Sequence, residues 1–132
     1  MRLCVRAQDL AWFSFAFVDE HGVVHKTIRK DGPPEAIFRS LVSALGRWQI
    51  NWDALTSVAV VSGPGSYTAM RNSITITNII AFVRNIPVAS VTAPPEASDE
   101  AVFLKLARAK ARQGNWSVPA YGAPPKITKS KK

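Results

Sequence analysis

The residues best placed to do chemistry lie in one stretch. Val58-Ala59-Val60-Val61 is a run of β-branched and small apolar residues, Gly63-Pro64-Gly65 breaks it, and Ser66, Thr68 and Arg71 follow. A strand that turns through Gly-Pro-Gly into a helix gathers backbone N–H groups and the positive end of the helix dipole at one point, and such a point can hold an anion or a phosphate. The same residues also make a tight structural turn with Ser66 as the helix cap. Neither Gly-x-Gly-x-x-Gly nor a Gly-Lys-Ser/Thr ending is present, and both phosphate-binding signatures need them. Gly63, Pro64, Gly65, Ser66, Thr68 and Arg71 are therefore the turn and the candidate anion-binding residues.

No catalytic residue is assigned. The sequence offers no Ser/His/Asp triad, Cys/His pair or paired carboxylates, and these are the sets that nucleophilic and acid–base chemistry requires. Ser62, Ser66 and Arg71 read as capping and positioning groups. His21 and His25 lie close to Asp19 and Glu20, but nothing elsewhere completes a ligand set, so a solvated turn is expected and no metal. Cys4, the single cysteine, stands in an apolar strand pattern and reads as a small buried hydrophobe.

Around that stretch the chain supplies the elements that must hold it. Leu3 to Ala7 and the aromatic run Ala11 to Val18 read as strands, Asp19-Glu20-His21-Gly22 as a hairpin turn, and Val23 to Arg29 as the return strand. Asp31-Gly32-Pro33-Pro34 ends this meander. Ile37, Phe38, Leu41, Val42 and Leu45 then recur at helical spacing over Glu35 to Gly46. The central strand follows from Val58, a helix runs from the turn to about Arg84, and Pro87 to Val91 is a last buried strand. Two such strands joined through a helix form a parallel pair with a right-handed crossover. Periodicity by itself supports an α/β protein: a mixed five-stranded sheet with helices packed on it.

The spelling Gly63-Pro64-Gly65-Ser66-Tyr67-Thr68-Ala69-Met70-Arg71, the apolar helix after it and Asn85-Ile86-Pro87-Val88-Ala89-Ser90-Val91 resemble the TsaB (YeaZ) family. The family pattern is close to Gly-Pro-Gly-Ser-Phe-Thr-Gly-Leu-Arg. Gly63 to Ser66, Thr68 and Arg71 match it, Tyr67 is a conservative change, and Ala69, Ser73 and Ile79 stand where glycines are usual. The resemblance implies an actin-like, ribonuclease-H-like half domain over 1–93, with 94–132 supplying a linker, a C-terminal helix and a basic tail. It implies a shortened form without the family's second domain. It further implies a non-catalytic scaffold of the machinery that makes threonylcarbamoyladenosine (t6A) in tRNA. In that family the catalytic subunit TsaD transfers the threonylcarbamoyl group, the scaffold pairs helices with it, and a small ATPase joins them. In the absence of TsaD a homodimer is implied. The early hairpin that binds nucleotide phosphates in actin-like enzymes corresponds here to Arg6-Ala7-Gln8-Asp9-Leu10-Ala11-Trp12, which keeps Asp9 but has no glycine. No cofactor is expected, and the peptidase-like label sometimes given to such sequences finds no nucleophile–base pair here. The interface expected on the second helix comprises Met70, Ile74, Ile76, Ile79 and Phe82, because its apolar residues occupy more than one face.

The chain has 132 residues, 47% of them hydrophobic, enough for one domain with a modest core. Its net charge of +8 is unevenly placed: residues 1–100 carry nine Lys/Arg against nine Asp/Glu, and 101–132 carry eight Lys/Arg and no acid. That is the pattern of a basic arm on a neutral fold. Ser98 can cap a helix with Asp99 and Glu100 in its first turn, an apolar face of Val102, Phe103, Leu106 and Ala109, a basic face of Lys105, Arg108 and Arg112, and Gly114 as its stop. Lys105, Arg108, Arg112, Lys126 and Lys129 are candidate tRNA contacts, with Trp116 and Tyr121 available for stacking on bases. The competing function class is accordingly a free-standing RNA-binding module. No run is long enough to span a bilayer and no secretory leader opens the chain, so a cytoplasmic protein is expected, without membrane contact.

Overall fold

The structure is a computed structural model and describes residues 1–114. Trp116, Tyr121, Lys126 and Lys129 lie outside the described residues. Five strands, β1 (Arg2–Arg6), β2 (Trp12–Val18), β3 (Val24–Asp31), β4 (Ser57–Gly63) and β5 (Val88–Thr92), form one sheet in the order β3-β2-β1-β4-β5. β1 to β3 pair antiparallel as a meander, and β4 joins β1 and β5 in parallel. Three helices pack on this sheet: α1 (Ile37–Arg47), α2 (Tyr67–Arg84) and α3 (Asp99–Arg108).

Strand alternation divides the core into two layers. Leu3, Val5, Phe13, Phe15, Phe17, Val58 and Val60 point to the side covered by α1 and α2, where Ile37, Leu41, Met70 and Ile74 meet them. Cys4, Ala16, Ala59 and Ala89 point the other way, and α3 lies over them with Val102, Phe103 and Leu106. These small strand residues let α3 settle close to the sheet.

The helix ends agree with expectation except at the last helix. Gly46 lies near the end of the first helix, as expected: α1 ends at Arg47 and the chain reverses at Gln49, whose φ is 57°. Ile50 N–H donates to Leu45 O at 2.9 Å and Gln49 N–H to Gly46 O at 3.2 Å, the pair of bonds that closes a helix through a left-handed residue. α2 ends at Asn85 in the same way, with φ 55° and Ile86 N–H on Ala81 O. The last helix stops at Arg108, well before Gly114, so Arg112 is not on a helix. The Arg2 guanidinium takes the carbonyls of Leu106 and Ala109, each at 2.7 Å, where further helical N–H donors would otherwise bond. Arg112 instead pairs with Val88 at the β5 edge.

Candidate functional site

β4 delivers Gly63 to the turn, and the Gly63–Pro64 bond is cis. The turn is held from two directions. Ala93 N–H donates to Gly63 O at 3.0 Å. Gln8, 3% exposed just past β1, donates through Nε2 to Pro64 O and Ala93 O, both at 2.7 Å, and accepts from Arg6 Nε at 2.7 Å. Ser66 N–H donates to Gln8 O at 2.9 Å. This closeness explains Gly65: a Cβ there would stand 2.7 Å from Gln8 O and 2.9 Å from Gln8 Cα. Ser66 Oγ accepts from Ala69 N–H at 3.4 Å and caps α2. One amide at the helix entrance is thus committed to Gln8, and these bonds favour the structural reading of the turn.

Thr68 and Arg71 face outward on the first turns of α2. With Pro34, Glu35, Tyr67, Asn72, Thr75 and Ile76 they line an open groove of about 440 Å³. Glu35 offsets the charge of Arg71 there, so the groove does not concentrate positive charge.

A polar cluster that local sequence reading did not find joins β1, β2, β3 and α3. Arg6 is fully buried on β1. Its Nη1 donates to Asp99 Oδ1 at 2.8 Å and its Nη2 to Pro95 O at 3.0 Å. Asp99 also accepts from Ser14 Oγ at 3.1 Å and from Arg29 through Nε at 2.9 Å and Nη2 at 3.1 Å. The Trp12 ring lies 3.7 Å from the Arg29 guanidinium carbon and 5.0 Å from that of Arg6. Burial pushes the Asp99 carboxyl up, but the hydrogen bonds and charge of Arg29, with the bonds from Ser14 and Arg6, outweigh it and hold the carboxyl below its usual range. Burial lowers the Arg6 guanidinium despite Asp99. Asp99, expected only to complement a helix dipole, therefore clamps α3 to the sheet.

The remaining candidates separate by burial. Met70 and Ile74 do not belong to a surface: they are 0% and 3% exposed and pack in the core, because that side of α2 faces the sheet. Ile76 is half-buried, whereas Ile79 and Phe82 are exposed, together with Val83 on α2 and Phe38 and Val42 on α1. Lys105, Arg108 and Arg112 are exposed, but only the first two share a helix.

His25 Nε2 meets Asp19 Oδ2 at 2.7 Å across the hairpin. The Asp19 carboxyl is lowered to about 2, first by the Val23 amide and then by His25 and the His21 amide. Among the described residues no three His, Cys, Asp or Glu side chains form a metal-holding group. Burial pushes the Cys4 thiol up to about 12, against a smaller pull from Arg2. Asp9 accepts from Ala11 N–H at 2.8 Å, a local turn bond. No described helix is long and apolar enough to cross a membrane.

Comparison with known proteins places this geometry. Residues 33–93, from the approach to α1 through β5, match the family model described as TsaD, tRNA N6-adenosine threonylcarbamoyltransferase. No curated protein matches the chain. Among solved structures, YeaZ from Pseudomonas aeruginosa aligns with a TM-score of 0.58 at 19% identity, covering 69% of this chain and 43% of that one. An uncharacterized protein with similarity to peptidase YEAZ from Pseudomonas aeruginosa aligns with a TM-score of 0.57 at 19% identity, over 69% of this chain and 42% of the other. The mixed sheet and its helices are thus the YeaZ-like form of the actin-like, ribonuclease-H-like α/β fold. The chain spans less than half the length of these two structures.

Proposed function

We propose that this YeaZ-like chain is a scaffold subunit of the t6A modification machinery, which pairs its helices with a TsaD-like catalytic subunit rather than performing the transfer itself. The observation that carries the proposal is the outward face of α1 and α2. Phe38 and Val42 are 51% and 42% exposed, and Ile79, Phe82 and Val83 are 54%, 73% and 70% exposed. Large apolar side chains grouped on adjoining helices mark a contact surface. Covering them would contribute about 25 cal/mol per Å² of apolar area, less the cost of association. The matched TsaD family segment and the YeaZ-like fold support the pathway.

A non-catalytic role is supported by the turn. Gln8 and Ser66 are engaged in holding its backbone, and Asp9 in a local bond, leaving no nucleophile–base pair around it. A homodimer through the same face is the arrangement we propose when the catalytic subunit is absent, and a small ATPase of the pathway completes the assembly.

Capture with a TsaD-like subunit and sedimentation of the isolated chain test this reading. Ile79→Glu and Phe82→Glu should each release the catalytic subunit and shift the chain toward monomer while the chain stays folded by circular dichroism. A wild-type chain that stays monomeric in the micromolar range and retains no catalytic subunit would refute the proposal. Threonylcarbamoyl transfer by the chain alone would refute its non-catalytic part.

A further inference from the structure

We infer that the open edge of β3 is a docking site for an acidic, extended segment of a second protein, which joins the sheet as a further strand antiparallel to β3. This site uses neither α1 nor α2 and stands apart from the scaffold reading. β3 ends the sheet, with β2 on one side and no strand on the other among the described residues. Its pairing fixes which backbone groups face outward. Gly32 N–H donates to Ala11 O, and the register repeats that hydrogen-bonded pairing at every second residue, at Lys30, Ile28 and Lys26. The N–H and C=O groups of Thr27, Arg29 and Asp31 therefore point away from β2, and all three residues are exposed. A row of such groups is a template for another strand. At the far edge of the sheet, Arg112 already exchanges two backbone hydrogen bonds with Val88.

The side chains of β3 select the occupant. Ile28 packs against the core on the α1 and α2 side, so Lys26 and Lys30 flank it on that face. The ion pairs among the described residues employ Arg6, His25, Arg29 and Arg84, and neither lysine. Opposite-charge pairs across neighbouring strands are stabilising. An added strand therefore fits with an acid opposite Lys30, an apolar residue opposite Ile28 and an acid opposite Lys26. On the other face, Thr27 and Arg29 line a groove of about 700 Å³ with Val23, Phe103 and Leu104. Val23 and Leu104 are exposed there. An apolar residue opposite Thr27 lies beside this groove and covers them. From its N-terminus the fitting segment reads acid, polar, apolar, apolar, acid.

Two other occupants fit less well. A second copy pairing through β3 about an axis at Ile28 sets Lys26 opposite Lys30, and like charges directly opposite are destabilising. Residues 115–132 of the chain itself carry no acid. Edge lysines discourage self-pairing, and the same two lysines admit a segment of opposite charge.

The test is fluorescence polarisation with the full chain and the labelled peptide Gly-Glu-Thr-Val-Leu-Glu-Gly at low salt, beside a control peptide with Lys in place of both Glu. The acidic peptide should bind at least about tenfold tighter than the control. Lys26→Glu/Lys30→Glu should reverse that order, which an unfolded chain cannot do. Thr27→Pro removes an outward N–H and spares the bonds to β2, and it should weaken the acidic peptide about tenfold. Equal affinity for the two peptides, or unchanged binding after Thr27→Pro, would overturn the inference. So would tighter binding of a peptide of residues 115–132, which assigns the edge to the chain's own end, or a dimer that Thr27→Pro dissociates, which assigns it to a second copy. Phe82→Glu should bind the acidic peptide as the wild type does, so failure of the edge site and failure of the scaffold reading are told apart.

Discussion

Replacing Asp99 by Asn should remove a large share of the stability of this fold. Asp99 accepts from Arg6, Ser14 and twice from Arg29. Asn keeps one acceptor oxygen, and it presents N–H donors to guanidinium groups that can only donate. Removing one partner of a buried pair costs about 3–5 kcal/mol. The Asp99 side chain is 24% exposed, so the lower end applies to its pairing with the fully buried Arg6. Arg29 is 44% exposed, and its arm of the cluster is worth about 1 kcal/mol or less. The expected loss for Asp99→Asn is about 3 kcal/mol, out of the roughly 5–15 kcal/mol of a typical domain. Urea unfolding followed by tryptophan fluorescence measures it, since Trp12 lies against both guanidinium groups. Arg29→Ala should cost about 1 kcal/mol in the same assay. The folded carboxyl is held below its unfolded value, so its stabilisation is complete above about pH 4 and is lost as pH falls through the folded pKa. The gap between wild type and Asp99→Asn should therefore be flat from pH 5 to 8 and close only in stronger acid. A loss under about 1 kcal/mol, or an Arg29→Ala loss equal to that of Asp99→Asn, would refute the clamp as argued.

Two further outcomes follow from the geometry. Gly65→Ala should destabilise the chain by about 2–4 kcal/mol, because the new Cβ displaces the Gln8 backbone and the Ser66 N–H bond with it; an unchanged urea midpoint would show that the turn can yield. Cys4 should resist a thiol reagent at pH 8 in the folded chain and react promptly in denaturant, since it is fully buried and burial pushes its thiol pKa up; rapid native-state labelling would contradict the buried placement.

The legible parts of the fold were those written locally. The turn at Gly63–Gly65, the Ser66 cap, the end of α2 at Asn85 and the hairpin at Asp19–Gly22 each follow from a few adjacent residues. The illegible parts depend on residues far apart in sequence. Arg6 and Asp99 are 93 positions apart, and the only local sign of their pairing was a charge inside an apolar strand. The early end of α3 follows from Arg2, more than a hundred positions away. The expectation of Arg112 on a helix failed because Ala109-Lys110-Ala111 is good helical sequence that a distant guanidinium terminates. Gln49 was missed because glutamine seldom takes the left-handed position that closes α1.

The composition of α2 bears on its partner. Its sheet-facing side carries Met70, Ile74 and Ile80 together with Ala69, Ser73, Thr77 and Ala81, all buried. The Ser73 hydroxyl bonds back to Met70 O and that of Thr77 to Ser73 O, so both are satisfied within the helix. Ile79, Phe82 and Val83 are on the outer side. Stabilising an isolated monomer would favour polar groups at those outer positions. The small residues among the inner ones let the helix approach β4 closely, while the outer apolar side chains remain largely exposed to solvent. That bulk is accounted for if a second protein surface supplies the missing layer, and the partner-capture experiment measures that property directly.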